Sequence, residues 1–66
     1  MALRSFLVNL SGLANADEIY KRIDFFAFET FPVVGKPKHY KVYWEEQESI
    51  NSLIPDLPAE RIISLN

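Results

Sequence analysis

Residues 25–44 read Phe25-Phe26-Ala27-Phe28-Glu29-Thr30-Phe31-Pro32-Val33-Val34-Gly35-Lys36-Pro37-Lys38-His39-Tyr40-Lys41-Val42-Tyr43-Trp44, and how this stretch divides decides the fold. Seven of the nine aromatic side chains fall within it, more large apolar surface than one short segment needs for its own packing. The stretch therefore marks the core or a binding face. Its first half admits two readings. Ile19, Ile23, Phe26, Ala27, Thr30 and Phe31 would line one side of a single long helix. That helix would leave Phe25 and Glu29 together in solvent and Phe28 only half covered. As a strand, residues 24–33 carry the aromatic and β-branched types that suit a pleated surface. Val34-Gly35-Lys36-Pro37 supplies turn chemistry, and residues 39–46 offer a pairing partner. The hairpin is the preferred reading.

Working outward toward the N-terminus, residues 3–10 read as a strand. Phe6, Val8 and Leu10 share one face, and Leu3 and Leu7 share the other. Apolar groups on both faces suggest a central position. Ser11-Gly12 ends the run. Asn15-Ala16-Asp17-Glu18 opens a helix, with Asn15 and Glu18 spaced for a capping box and the acids suited to the positive end of the dipole. Ile19 and Ile23 stack on its inner side, and Glu18 and Arg22 are i,i+4 partners on its outer side.

Toward the C-terminus, residues 45–54 read as a second short helix with Ile50, Leu53 and Ile54 as its apolar edge. Pro55 stops it, because proline disfavours helical geometry in the residue before it. Pro55-Asp56-Leu57-Pro58 connects it to a last strand over residues 61–65, with Ile63 and Leu65 on one face and Ile62 on the other. The order β-α-β-β-α-β predicts an α+β domain: a small, mainly antiparallel four-stranded sheet with two short helices on one face. That is the ferredoxin-like connectivity in miniature.

Size limits what such a domain can do. Sixty-six residues form a single domain of marginal stability. Chains this small lean on disulfides, metals, self-association or dense packing. With no cysteine and one histidine, disulfides, cysteine-based zinc sites and all-histidine sites within one chain are excluded. Dense aromatic packing and self-association remain, and a homo-oligomer, most simply a two-fold dimer, is expected. A net charge of −2 argues mildly against a general nucleic-acid binder. No secretory signal or apolar run of spanning length is evident, and the absence of cysteine fits a reducing cytoplasm.

The chemistry-bearing residues are few. His39 has no orienting partner or nucleophile in any recognisable motif, so it reads as a surface residue at the end of a turn. Glu45, Glu46 and Glu48 read as a solvated helix start rather than a cation site, which would interleave acids with a sharp glycine turn. Gly35-Lys36-Pro37-Lys38 lacks the following helix that a phosphate loop needs. The sharpest grouping is Lys36, Lys38, His39, Tyr40, Lys41, Tyr43 and Trp44, where three lysines and a histidine interleave with three aromatics. In a strand, Tyr40, Val42 and Trp44 share one face, expected in the core, and His39, Lys41 and Tyr43 share the other. This hairpin is the expected partner-binding surface. Without a paired catalytic constellation the chain reads as a non-catalytic interaction module, an adaptor or inhibitor, with no cofactor. The alternative is a single-stranded RNA or DNA binder that stacks bases on hairpin 35–44.

Overall fold

Alternation of apolar and polar residues at a period of two builds the two central strands of this protein. A computed structural model describes residues 2–65. The strands are β1 (Arg4–Asn9), β2 (Glu29–Pro32), β3 (His39–Trp44) and β4 (Ile62–Ser64), with helices α1 (Ala16–Phe26) and α2 (Ile50–Leu53) and a 3₁₀ turn at Ala59–Arg61. They form one sheet in the order β2-β3-β1-β4, and every neighbouring pair is antiparallel. This is the expected α+β arrangement, and the strand order is the one that two interlocked split β-α-β units produce.

The register sets Phe6 opposite Val42 and Val8 opposite Tyr40, so β1 and β3 turn one common face toward the helices. On that face Val8, Val42 and Trp44 are completely buried, together with Ile19 and Ile23 of α1, Ile50 of α2, and Ile54 and Leu57 beyond it. Ile62 of β4 packs against the same cluster. Tyr20 of α1 stacks on Tyr40, with ring centroids 4.6 Å apart. Trp44 is the anchor: its Nε1–H donates to the Glu48 carbonyl at 2.8 Å, and the Phe26 ring lies 6.5 Å away.

The ambiguous stretch divides where neither reading placed the boundary. The helix runs on through Phe26, and the strand is confined to Glu29–Pro32, so the expected strand over residues 24–33 is too long at its start. Phe26 continues the buried stripe of Ile19 and Ile23 and gains Trp44 as a neighbour, which leaves Phe25 four-fifths exposed. Ala27 then turns extended while its N–H still closes onto the Ile23 carbonyl at 2.7 Å. Thr30 Oγ1 donates to Asp24 Oδ1 at 2.9 Å and ties the new strand back to the helix.

Three local expectations are corrected. The Asn15 side chain makes no capping bond; only its carbonyl serves the helix, accepting from the Ile19 N–H at 3.0 Å. Arg22 pairs with Asp56 at 2.7 Å rather than with Glu18, clasping α1 to the segment before β4. The second helix is one turn and not ten residues. Ser49 opens it, with its Oγ accepting from the Ser52 N–H at 3.2 Å. Residues 45–48 are loop, and side chains take two of their carbonyls: Trp44 donates to that of Glu48 at 2.8 Å, and Arg4 to that of Glu46 at 2.6 Å. Glu45, Glu46 and Glu48 therefore do not sit at a helix dipole.

Two connections carry their own logic. Between β1 and α1, Gly12 takes a φ of +80°, and Arg61 Nη1 donates to the Ser11 carbonyl at 2.6 Å and the Asn9 carbonyl at 3.4 Å. Asn9 Oδ1 accepts from both the N–H and the hydroxyl of Ser11, so one arginine and one asparagine hold the whole turn. Between β2 and β3, Lys36 N–H bonds Val33 and His39 N–H bonds Lys36, giving two successive turns. Each has its third residue at positive φ, Gly35 at +80° and Lys38 at +59°, the signature of type II turns.

Candidate interaction surface

With both helices on one face, the other face of the sheet is left open, and the register states which side chains stand on it. Phe31 pairs with Lys41, Lys41 with Leu7, and Leu7 with Ile63, forming one row across all four strands. Glu29 pairs with Tyr43 and Tyr43 with Ser5, and the Leu65 N–H bonds the Ser5 carbonyl, forming a second row. Leu3 precedes Ser5 by two residues along the chain and falls on the same side. Leu3, Phe31, Ile63 and Leu65 are exposed at 43%, 46%, 56% and 47%, so this face is apolar and wet at once. Scattered exposed apolar groups are ordinary, but a contiguous patch of them marks an interaction site.

Two groups shape the centre of the patch. The rings of Phe31 and Tyr43 meet edge to face, 6.0 Å apart at 86°. Lys41 Nζ lies 5.2 Å from the Tyr43 ring centroid. Leu3, Phe28, Glu29, Phe31 and Tyr43 line a shallow depression of about 290 Å³ beside them.

The expected partner-binding residues separate. His39, Lys41 and Tyr43 do stand on the open face. Trp44 does not: it is fully buried on the opposite side and cannot meet a partner while the domain is folded. The reason is the period of two, which sends Trp44 inward with Tyr40 and Val42. Lys36 sits in the β2–β3 turn, outside both rows. Lys38 turns toward the helix layer, with its Nζ 3.5 Å from Asp17 Oδ1. His39 Nδ1 lies 2.9 Å from the Pro37 carbonyl, a bond that closes the turn. The three lysines that looked like one basic patch therefore point three ways.

The residues that complete the patch, Leu3, Leu7, Phe31, Ile63 and Leu65, were absent from the expected site. Part of the signal was present as apolar side chains on both faces of the first and last strands, read in the first as a sign of a central position. Elsewhere, Glu45, Glu46, Gln47 and Glu48 line a depression of about 480 Å³ in the β3–α2 loop. Among the described residues no group of three or more histidine, cysteine or acidic side chains could hold a metal ion. No described helix is long and apolar enough to cross a membrane. The chain matches no protein-family model, no curated protein and no solved structure.

Proposed function

We propose that this protein is a non-catalytic protein–protein interaction module that works through the open face of its sheet, by self-association or by docking on a larger protein. The observation that carries the reading is the four-strand row Phe31–Lys41–Leu7–Ile63, apolar at three of its four positions and uncovered by either helix. Aromatic side chains with few charges are what the core of a protein interface selects. The cysteine-free composition suits work in the cytoplasm, and an adaptor or inhibitor role fits a module of this size.

A second reading, single-stranded nucleic acid stacked on the sheet, draws support from the Lys41–Tyr43 pair on the open face. It is weaker on two counts. Of the two central strands only β3 offers an aromatic outward, Tyr43, because β1 presents Ser5 and Leu7. Of the charged side chains in the two rows, Lys41 is balanced by Glu29.

The test uses the purified protein as bait in an extract of its native host, beside Leu7→Glu, which places a charge in the middle of the row without touching the helix side. A partner retained by the wild type and lost with Leu7→Glu supports the docking reading. Equal retention by both baits moves the interface elsewhere. Binding of a labelled single-stranded oligonucleotide that weakens steeply with salt would favour the nucleic-acid reading instead.

A further inference from the structure

The open face carries enough pattern to choose its occupant, and the choice rests on the reading of that face as a docking surface. We infer that the occupant is a second copy of this chain, packed sheet on sheet about a two-fold axis lying along the Phe31–Tyr43 diagonal, with Glu29 of each copy opposite Lys41 of the other. Four side chains decide it. Glu29 pairs with Tyr43 and Phe31 with Lys41, so these groups occupy the corners of a rectangle on the open face. From ordinary sheet spacings it measures about 4.8 Å across the strands and about 6.7 Å along them. One diagonal holds the two rings in edge-to-face contact. The other holds the two charges.

A two-fold axis in the plane of the interface and along the ring diagonal carries each ring onto its own counterpart. It brings Glu29 of each copy to within about 3 Å of the Lys41 position of the other, a gap that two flexible side chains close. Both charges are thereby neutralised twice per dimer, and no charge of the rectangle is buried unpaired. Extended by one strand, the same diagonal passes from Phe31 through Tyr43 to Leu3. The residues closest to the axis are therefore apolar, and the depression beside them leaves room for the opposing rings. Aromatic anchors at the centre with charges outside them is the usual anatomy of a specific interface.

The geometry closes with known sheet packing. The ring diagonal lies roughly 35° from the strands, and the perpendicular bisector of the charge diagonal roughly 55°, given those spacings. An axis along the ring diagonal crosses the strands of the two sheets at roughly 70°, near the orthogonal class of sheet-on-sheet packing.

The edges of the sheet offer a poorer route to a dimer. Val33 N–H bonds the His39 carbonyl, so by alternation Phe31 and Glu29 also turn their backbone groups toward β3. Thr30 and Pro32 face outward, and proline has no N–H to donate, which blunts β2 as a template. At the other edge β4 has only three residues. The face is small as well: four strands of six, four, six and three residues span at most about 400 Å² in projection, well under the area of a standard interface. So small an interface belongs to the weak, reversible class.

Sedimentation and light scattering from about 5 to about 500 µM bracket the affinity expected of so small an interface. The wild type should approach twice its 7.6 kDa mass at the upper end. Glu29→Lys and Lys41→Glu each place like charges opposite one another at two points, and each should weaken association at least about tenfold. Combined in one chain, they should restore it to within about threefold of the wild type, because the swapped pair is again complementary. A wild type that stays monomeric throughout overturns the inference, and so does a double variant no better than the singles. Phe31→Ser separates the two levels of the argument. If it abolishes the dimer while the charge variants do nothing, the pairing is wrong and the docking face stands. If the dimer ignores all four variants, the docking face falls with it.

Discussion

Trp44→Ala tests the claim that the inward face of β3, and not its outward face, holds the domain together. Trp44 has no exposed surface, contacts the ring of Phe26, and gives its indole N–H to the Glu48 carbonyl. Truncating a buried tryptophan to alanine costs about 3–5 kcal/mol through lost burial and the cavity left behind. The orphaned Glu48 carbonyl adds little, because it lies in an exposed loop where water can replace the indole. A chain of 66 residues at about 0.05–0.15 kcal/mol per residue holds about 3–10 kcal/mol in total. Trp44→Ala thus removes between a third and all of the stability. Trp44→Phe, which keeps most of the apolar volume and loses the hydrogen bond, should cost about 1–2 kcal/mol. The assay is urea denaturation followed by far-ultraviolet circular dichroism at one fixed protein concentration, since self-association would make the midpoint depend on it. If Trp44→Ala loses less than about 1 kcal/mol, no fully packed tryptophan occupied that site and the core described above is wrong.

Arg61→Ala should destabilise by about 1–3 kcal/mol, because it strips the donor from the half-buried carbonyl of Ser11; equal midpoints in urea would show that the β1–α1 turn holds without it. Lys38→Gly should stabilise by up to about 1 kcal/mol, since Lys38 pays for a left-handed backbone at +59° and its exposed ion pair with Asp17 returns little; a lower melting temperature would refute the strain. Glu46→Ala should change stability by less than about 0.5 kcal/mol, because Arg4 bonds the backbone carbonyl of Glu46 and not its carboxylate; a larger loss would mean the side chain has a structural partner.

Much of the architecture was readable from residue order alone. Alternation over residues 3–10 and 39–44 sorted Phe6, Val8, Tyr40, Val42 and Trp44 from Leu7, Lys41 and Tyr43, and the sheet keeps that sorting. Gly12, Gly35 and Pro55 marked ends of elements through backbone preferences that hold in any context. Ile19 and Ile23 located the inner side of α1. These signals are local: each depends on a period of two or 3.6, or on the allowed dihedral angles of one residue.

What only the tertiary structure decided follows from contacts far apart in the chain. The helix keeps Phe26 because Trp44, eighteen positions on, lies beside it. Residues 45–48 are loop, with Arg4 and Trp44 taking the carbonyls of Glu46 and Glu48, so the glutamates that suited a helix start never reach one. Arg22 chose Asp56 over the neighbour that spacing favoured. The candidate surface was decided the same way. Apolar residues on both sides of a strand signal a covered sheet when the covering elements exist. Here one eleven-residue helix and one single turn cover one side only, and the outward row of Phe31, Leu7 and Ile63 becomes surface. Pairing of four strands that are distant in sequence brought these side chains into one row, and no local periodicity encodes that juxtaposition.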